Sequence, residues 1–589
     1  MNRRNTILLI LLLCFVSALS ISANAQEWKF GVMSDTQWPN SPDGKNPNGV
    51  AVNAINHINQ EFIKQGVKFV IEVGDLTDDG TNTPSELDQR AISAQALYNA
   101  GIGFFPLRGN HEASAAAALE FVKVFPQTQT GLNGGSFNVG TNFKSPTDLN
   151  SSYAGLTYSF DFANARFVLL DTFSIPNVSC NLLENQQTWI ETTLHNRSAN
   201  THAFVFGHKG LITENHKDIL FTYAGKCDGS STSSTPNVKT PQQIDFFASL
   251  FNNNVHFYMG GHDHMHNRAI VASPCSADSV ASAYPSKCDA TQKKAFVQNI
   301  IGASDSYKWY IPQDETSNAS PLTTNDYVYN YLTTGKLRET QIAQELVSTG
   351  YYIFTVNGPR VQVDFYASKN CQAETCDNAD QTYDLQPYTF AKRETFGYSL
   401  NGQEFLVPQG GTYTVVKDTF GTTTAKILDG TNGSKKIDFN SRPMTKAVDT
   451  GWTKNDGSFA SDVLSLWGMT DSLGSCDAPC KPAQNVSGGV LSGVKLSPVS
   501  DQTDTFVLSM SANTNYGKIW AVYHLVSKDN NGNWVPAVNR NIGGSQTRRV
   551  LGPYVPGYGL GTYGIDPNTG TAWAVINYNG DFALAYGGY

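Results

Sequence analysis

The sequence has few charged residues and no cluster of basic ones. Of its 589 residues only 15% are Asp, Glu, Lys or Arg, and 41 basic against 50 acidic side chains give a formal net charge of −9. Proteins that bind DNA or RNA carry a basic patch or stripe, so we expect no nucleic-acid partner. Glycine and aromatic residues are abundant instead, with 51 Gly, 32 Phe, 26 Tyr and 9 Trp. This composition is typical of a folded protein rich in β-structure.

Long apolar segments are also scarce, and the one clear example lies at the N-terminus. A pair of arginines precedes an uncharged apolar run over residues 6–21, and an Ala-x-Ala sequence follows it. We interpret residues 1–25 as a signal peptide that is cleaved before Gln26. The run is shorter than the ~20 residues that span a bilayer, so no transmembrane anchor is expected. The sequence therefore predicts a secreted protein, either extracellular or periplasmic.

Cysteine is uncommon, but its number is even once that segment is removed. Eight of the nine cysteines remain, and an exported chain with an even number favours disulfides. Other connectivities stay open, and a zinc site that includes Cys476 and Cys480 is the alternative. Proximity along the chain suggests the pairs Cys180 with Cys227, Cys275 with Cys288, Cys371 with Cys376, and Cys476 with Cys480.

The chain divides into two regions with different sequence patterns. Over residues 26–370, short apolar runs alternate with segments of helical periodicity, which predicts a layered α/β fold. The Asn357-Gly358 pair predicts a hairpin turn near the end of this domain, after a partly helical insertion over residues 307–350. Residues 371–395 are expected to form a linker. From residue 396 to 589 the helical pattern disappears, which predicts a separate all-β domain.

Five of the apolar runs are followed at once by polar side chains of the types that bind metals in proteins. In an open α/β sheet the carboxyl ends of the strands line one crevice, so these side chains are expected to converge. Carboxylates, an amide oxygen and imidazoles can hold one or two divalent ions. Each residue taken alone is commonly structural, so the hypothesis depends on the whole set. Its members are Asp35, Asp75, Asn110 with His111, His208, and His262 with His264.

The order of these residues resembles the calcineurin-like metallophosphoesterase superfamily. The resemblance covers about residues 28–368 and is carried by Asp35-x-Gln37, Gly74-Asp75, Gly109-Asn110-His111-Glu112, Gly207-His208 and Gly261-His262-Asp263-His264. It implies a β-sandwich flanked by helices, with a two-metal site on one rim. It also implies that one ion is held by Asp35, Gln37 and His264, that Asp75 bridges, and that the second is held by Asn110, His208 and His262. His111 would face the substrate phosphate without binding a metal.

One position departs from the superfamily pattern. Gln37 stands where the first motif usually has His. An amide oxygen is a harder and weaker ligand than imidazole, which favours manganese, iron or magnesium, with zinc still possible. The ion next to Gln37 is therefore expected to be the more loosely held of the two.

These features predict an exported, metal-dependent phosphatase or phosphodiesterase that acts on a small phosphate ester. The expected mechanism is attack by metal-activated hydroxide, with His111 assisting the leaving group. The choice between monoester and diester stays open. The alternative is a surface binding or adhesive protein on a degraded phosphoesterase scaffold. Because no chemical motif lies beyond His264, a chain that ends near Lys369 is expected to keep the site.

Three further features have a structural interpretation and a functional one. His266 continues the alternation of His262 and His264 and is expected in an exposed loop, with a contact to a metal ligand or to the substrate as the alternative. Glu112 is expected to brace its loop. The C-terminal tryptophans are expected in a core, although they could form a polymer-binding face.

Overall fold

The computed structural model of the chain describes residues 27–38, 46–78, 84–129, 139–178, 181–198, 200–213, 216, 218–223, 237–238, 240–302, 338–345, 348–368, 388–408, 412–415, 423–428, 445–454, 457–467, 502–512 and 523–586. The predicted signal peptide lies outside these ranges. So do most of the predicted insertion and all cysteines except Cys275 and Cys288. The described end of the insertion is extended, not helical.

The region up to Ser399 alternates strands with helices, as its sequence pattern predicts. The helices of the described part are α1 (Val52–Gln65), α2 (Pro84–Ser93), α3 (Gln95–Asn99), α4 (Ala115–Val124), α5 (Leu183–His195), α6 (Thr240–Asn252) and α7 (Asp278–Ala283). The strands are β1 (Trp28–Met33), β2 (Phe69–Val73), β3 (Gly103–Leu107), β4 (Thr141–Lys144), β5 (Tyr158–Phe162), β6 (Ala165–Leu170), β7 (His202–Gly207), β8 (Thr222–Tyr223), β9 (Asn237–Val238), β10 (Phe257–Gly260), β11 (His266–Ala272), β12 (Phe296–Ile301), β13 (Glu339–Glu345), β14 (Thr349–Asn357), β15 (Arg360–Ser368) and β16 (Ala391–Ser399).

Most of these strands form two sheets that pack face to face. The first has the order β16-β15-β14-β1-β2-β3, and the second has the order β13-β11-β12-β10-β7-β6-β5-β4. Strands β1, β2 and β3 run parallel, as do β6, β7, β10 and β12. The predicted hairpin is confirmed, since Asn357 pairs with Arg360 across its turn.

Aromatic side chains fill the space between the two sheets. Phe30 of the first sheet stacks on Phe69 at a ring-centroid distance of 5.5 Å and meets Phe167 of the second sheet edge-on at 5.1 Å. One apolar cluster packs helices α1, α2, α3 and α4 against the outer face of the first sheet. Another packs α5 and α6 against the outer face of the second sheet. The predicted β-sandwich flanked by helices is therefore confirmed.

Local sequence signals set where several of these helices begin and end. Ser114 caps α4, because its side chain accepts a hydrogen bond from the amide of Ala117 at 3.0 Å. Gly66 ends α1 in the left-handed conformation with φ +69°, which glycine adopts without steric cost.

The C-terminal region is a second sandwich built from strands, as predicted. Its two sheets have the orders β17-β20-β21-β28-β23-β24 and β18-β19-β22-β27-β26-β25, and a second apolar core lies between them. The predicted core position of the tryptophans is confirmed for Trp452, Trp467 and Trp573, which are all buried. The strands are β17 (Gln403–Pro408), β18 (Thr412–Val415), β19 (Thr423–Ile427), β20 (Thr445–Thr453), β21 (Val463–Trp467), β22 (Gln502–Ser511), β23 (Tyr523–Lys528), β24 (Trp534–Pro536), β25 (Arg548–Leu551), β26 (Thr562–Asp566), β27 (Thr571–Tyr578) and β28 (Gly580–Tyr586).

Strand β16 extends the first sandwich into the segment expected to be linker and C-terminal domain. It pairs with β15 along its whole length, and Phe396 and Tyr398 enter the core between the two sheets. The first sandwich is therefore not complete at Lys369. We propose that the boundary between the two domains lies at about Leu400.

The two sandwiches contact each other through polar groups. Arg360, at the tip of the β14–β15 hairpin, makes two hydrogen bonds to the carboxylate of Asp581 in β28, at 2.6 and 3.0 Å. The side-chain amide of Gln298 in β12 donates to Glu404 at 3.1 Å and to Asp449 at 3.3 Å.

Cys275 and Cys288 form a disulfide, as predicted for this pair. It ties the start of the segment that contains α7 to its end. None of the helices in the described part of the chain has the length and apolar character needed to cross a bilayer.

Candidate metal centre

The predicted ligand residues meet on one rim of the first sandwich. They follow the carboxyl ends of five parallel strands, β1, β2 and β3 in one sheet and β7 and β10 in the other. Ligand atoms of Asp35, Asp75 and His264 lie within 4.8 Å of one another, and so do those of Asp75, His208 and His262. All five residues are buried. The structure therefore brings together side chains that are up to 229 positions apart in the sequence.

The backbone at this rim adopts a conformation that is uncommon for residues with a side chain. Asp35, Asp75, His262 and His264 all have positive φ, at +56°, +51°, +77° and +51°. Such outliers cost roughly 1–3 kcal/mol each and cluster at functional sites. The sharp turns after the strands are thus made largely by the ligand residues themselves.

Two glycines at the rim allow the acidic ligands to approach the backbone closely. A Cβ at position 109 would overlap the carboxylate of Asp75, and a Cβ at position 261 would overlap the side chains of Ser34 and Asp35. Neither Gly109 nor Gly261 has positive φ. We therefore expect any side chain at these two positions to displace the acidic ligands.

Asp75 lies at the centre of the site. Its Oδ2 is 3.2 Å from Nε2 of His208 and 3.3 Å from Nε2 of Gln37. Its Oδ1 accepts a hydrogen bond from the backbone amide of His111 at 3.0 Å. Because Asp75 belongs to both groups of ligand atoms, it is the residue through which two ions could be bridged.

The first group consists of Asp35, Gln37 and His264 around Asp75. Nε2 of His264 is 3.7 Å from Oδ1 of Asp35 and 3.3 Å from Nε2 of Gln37. Among the described residues, Oε1 of Gln37 is buried and has no hydrogen-bond partner. A half-turn of the amide would exchange its oxygen and nitrogen and direct the oxygen at Asp75 and His264, where a cation would satisfy it. This donor set fits a divalent ion that prefers oxygen ligands.

The second group consists of Asn110, His208 and His262 around Asp75. Nε2 of His208 lies 3.0 Å from Oδ1 of Asn110, while its Nδ1 is 2.9 Å from the carbonyl oxygen of Val73. The rings of His208 and His262 are 5.1 Å apart. Two imidazoles, an amide oxygen and a carboxylate oxygen also fit a divalent ion.

His111 lies beside the two groups and not in either of them. Its Nε2 is 3.9 Å from Oδ2 of Asp75, and its Nδ1 donates to the carbonyl oxygen of Asp78. Its side chain is 27% exposed, whereas that of Asp75 is 1% exposed. The position next to the buried acids and open to solvent fits contact with a substrate.

The charges of the site perturb one another. Burial raises the pKa of Asp35 to about 6 and lowers the pKa of His262 to about 4. Burial also opposes ionisation of Asp75, but the charges of His208 and His111 outweigh it and hold the pKa of Asp75 below its ordinary value. The pKa of His208 rises to about 9, because the carboxylates of Asp75 and Asp35 overcome the effect of burial. Strongly perturbed groups that share one crevice are typical of functional sites.

Comparison with known proteins finds one matching family and several similar solved structures. Residues 29–266 match the calcineurin-like phosphoesterase family. This segment is a calcineurin-like phosphoesterase domain. Among solved structures, similar chains include the purple acid phosphatase PPD1 of yellow lupin (Lupinus luteus), with a TM-score of 0.35, 14% identity, and coverage of 64% of this chain and 54% of that one. The chain thus spans about half the length of the lupin protein.

Two further solved structures are similar at the same level of identity. PhoD has a TM-score of 0.35 and 13% identity, with coverage of 64% of this chain and 70% of that one. A dimetal phosphatase from Danio rerio has a TM-score of 0.28 and 14% identity, with coverage of 57% of this chain and 95% of that one. No curated protein sequence matches the chain.

In this phosphoesterase domain the loop after β3 is held by buried charges. Arg108 makes two hydrogen bonds to Asp171, at 2.7 and 2.9 Å. The carboxylate of Glu112 accepts from the backbone amides of Thr77 and Gly109, both at 2.9 Å. The predicted bracing role of Glu112 is confirmed.

The expectation that His266 lies in an exposed loop is wrong, and the hydrogen-bond partners of its ring are not predicted metal ligands. His266 is fully buried at the start of β11. Its Nδ1 is 2.7 Å from the hydroxyl of Tyr352, and its Nε2 is 2.8 Å from Oε2 of Glu394. His266 lies two residues beyond His264, inside the sheet and no longer on the rim. There its hydrogen bonds connect β11 to β14 and β16.

Sequence reasoning missed three polar residues next to the site. Nε2 of His262 is 3.0 Å from Oδ1 of Asp218, whose Oδ2 is 2.6 Å from Nζ of Lys209. The ring of His216 stacks on that of His262 at 3.9 Å and is held by Asp263 at 2.9 Å. Lys209 directly follows the predicted ligand His208, which is a weak signal. His216 and Asp218 lie in a segment without strand or helix pattern, so nothing in the sequence distinguishes them.

Proposed function

We propose that the chain is a metal-dependent phosphoric ester hydrolase with a two-metal centre. One ion would be held by Asp35, Gln37 and His264, the other would be held by Asn110, His208 and His262, and Asp75 could contribute to both. The observation that carries this proposal is the shared position of Asp75, whose carboxylate belongs to two groups of ligand atoms that each lie within 4.8 Å. The family to which residues 29–266 belong supports it.

The chemistry divides between the ions and His111. Two divalent ions bound at this rim would neutralise phosphate charge and lower the pKa of a water molecule into the range where hydroxide is available. Burial disfavours the charged form of His111, but the charge of Asp75 and the hydrogen bond to the Asp78 carbonyl raise the pKa of His111 above its ordinary value. This favours the protonated form of His111, in which Nε2 has a proton to donate to the leaving oxygen.

The substrate is a small phosphate ester, and the favoured ions are manganese, iron or magnesium. The amide oxygen of Gln37 supports this preference, because hard oxygen ligands suit these ions better than they suit zinc. We expect the loops over residues 133–153, 214–237 and 306–346 to decide between monoester and diester, and the second and third of these loops lie largely outside the described residues. We also propose that the protein is exported; the disulfide between Cys275 and Cys288 supports an oxidising location.

The test is hydrolysis of an aryl phosphate by the full-length protein before and after treatment with a strong chelator. We expect activity to disappear on chelation and to return with manganese, and metal analysis to find two ions per chain. Undiminished turnover in a metal-free preparation would contradict the proposal. An inactive protein that also binds no ion would favour the alternative of a binding protein on a degraded scaffold.

A further inference from the structure

The two histidines of the second group present opposite ring nitrogens to the site. Nδ1 of His208 is 2.9 Å from the carbonyl oxygen of Val73. A carbonyl oxygen can only accept, so Nδ1 carries a proton. Nε2 is then the nitrogen that faces the site, 3.0 Å from Oδ1 of Asn110 and 3.2 Å from Oδ2 of Asp75. The backbone carbonyl of β2 therefore directs Nε2 of His208, and not Nδ1, toward an ion that would replace its proton.

His262 has the reverse arrangement. Its Nε2 is 3.0 Å from Oδ1 of Asp218, and a carboxylate likewise only accepts. Nε2 therefore carries the proton, which leaves the lone pair on Nδ1. The backbone amide of His262 donates to Oδ1 of Asp35 at 2.9 Å, so the main chain at this residue is fixed and the remaining freedom is that of the ring.

Asp218 is itself held in place by a cation. Its Oδ2 is 2.6 Å from Nζ of Lys209, and the two side chains are 34% and 17% exposed. Each carboxylate oxygen thus has its own partner, His262 on one side and Lys209 on the other. Because Lys209 directly follows His208, the same loop after β7 carries one ligand and anchors the group that orients the other.

We propose that Asp218 is a positioning residue that fixes the ring and the tautomer of His262, so that Nδ1 of His262 is the atom offered to an ion. This inference rests on the proposed two-metal centre. A hydrogen-bonded acceptor on the far nitrogen of a ligating histidine typically changes metal affinity 10- to 100-fold. Without Asp218 the neutral ring can place its proton on either nitrogen, and only one of the two forms can bind an ion through Nδ1.

The experiment compares the full-length wild-type protein with Asp218→Ala and with a matched control, Asp245→Ala. Asp245 also pairs with a lysine at 2.6 Å, Lys287, but on the exposed surface of α6. Calorimetric titration of manganese into the metal-free proteins should show two ions in each. One of the two should bind roughly 10- to 100-fold more weakly in Asp218→Ala, and Asp245→Ala should match the wild type.

A second measurement reads the tautomer without any ion. Ring ¹⁵N chemical shifts of histidine-labelled, metal-free protein, with the His262 signals assigned by a His262→Gln spectrum, should show the Nε2-protonated form in the wild type and a mixture in Asp218→Ala. Should the alanine variant not fold, Asp218→Leu fills the space without a hydrogen-bond acceptor and carries the same two measurements.

Equal affinity for both ions in wild type and Asp218→Ala would overturn the inference, and so would an unchanged His262 tautomer. A wild-type protein that binds no manganese or other divalent ion would instead refute the proposed function. The ring spectra of the metal-free protein separate the two failures, because they report on Asp218 whether or not an ion binds.

Discussion

The two sandwiches of this chain have similar layers but different strand directions. In the first, the strands next to the site run parallel, so their carboxyl ends share one rim. In the second, the strand pairs are antiparallel except for β25 with β26. Antiparallel neighbours end on opposite edges of a sheet, which separates consecutive loops. Parallel strands are therefore what allows five separate loops to meet at one site.

The backbone at the strand ends differs as well. In the described residues of the second sandwich every residue with positive φ is a glycine, for example Gly532 and Gly561. In the first, four ligand residues adopt positive φ in spite of their side chains. Strained conformations persist where the surroundings enforce them and function requires them. The described loops of the second sandwich therefore lack the backbone strain that marks the rim of the first.

The largest effect is expected from the residue common to both groups of ligand atoms. Asp75→Ala should abolish activity and the binding of both ions, because neither group is complete without that carboxylate. Asp566→Asn is the matched control, since Asp566 also ends a strand but lies in the second sandwich. In both variants, metal analysis measures ion binding and aryl phosphate hydrolysis measures activity. Loss of ions in Asp566→Asn, or their retention in Asp75→Ala, would break the contrast between the two regions.

Truncation tests where the first sandwich ends. A chain that stops after Leu400 should fold and bind ions, whereas one that stops after Lys369 should not. The shorter chain lacks Phe396 and Tyr398, which are buried in the core, and the loss of one large aromatic side chain costs about 3–5 kcal/mol. Two such losses approach the total stability of a typical domain, about 5–15 kcal/mol.

Circular dichroism during heating, together with ion binding, checks this prediction. If the chain ending at Lys369 unfolds cooperatively and still binds two ions, β16 is dispensable and the domain boundary lies where the sequence placed it.

His111→Ala should separate catalysis from metal binding. The hydrogen bond from this residue to Asp75 is donated by its backbone amide, which the substitution leaves in place, so both ions should remain. The rate constant kcat should fall on the order of 100-fold, the scale of general acid catalysis. The control is His57→Ala on α1, whose ring packs against Tyr388 at a ring-centroid distance of 5.1 Å, and it should leave kcat unchanged. Release of the ions from His111→Ala would show that its role is that of a ligand.

The smallest effect is expected at Gln37. Gln37→His should tighten the ion that Asp35 and His264 also hold, and shift its preference toward zinc, because imidazole is a stronger and softer donor than an amide oxygen. Calorimetric titrations with manganese and with zinc measure the change, and the second ion serves as the internal reference. Equal affinities in the two proteins would mean that Gln37 is not a ligand.

Much of this protein was predictable from local sequence. An apolar run followed at once by Asp, Asn or His marks a strand and the loop after it, so the positions of Asp35, Asp75 and His208 at strand ends follow from pattern alone. The loss of helical periodicity from residue 396 onward likewise predicted a second, all-β region. These features depend on neighbours within a few residues, which the sequence displays directly.

Which of those residues converge was decided by the tertiary structure. Asp171 follows β6 just as Asp75 follows β2, yet Asp171 pairs with Arg108 inside the protein while Asp75 lies at the centre of the rim. Sequence pattern also could not assign β16 to the first sheet or bring Asp218 to His262, because both depend on contacts between distant segments. Local sequence determines that a side chain lies at the end of a strand. Its partners depend on which strands are neighbours in the folded sheets.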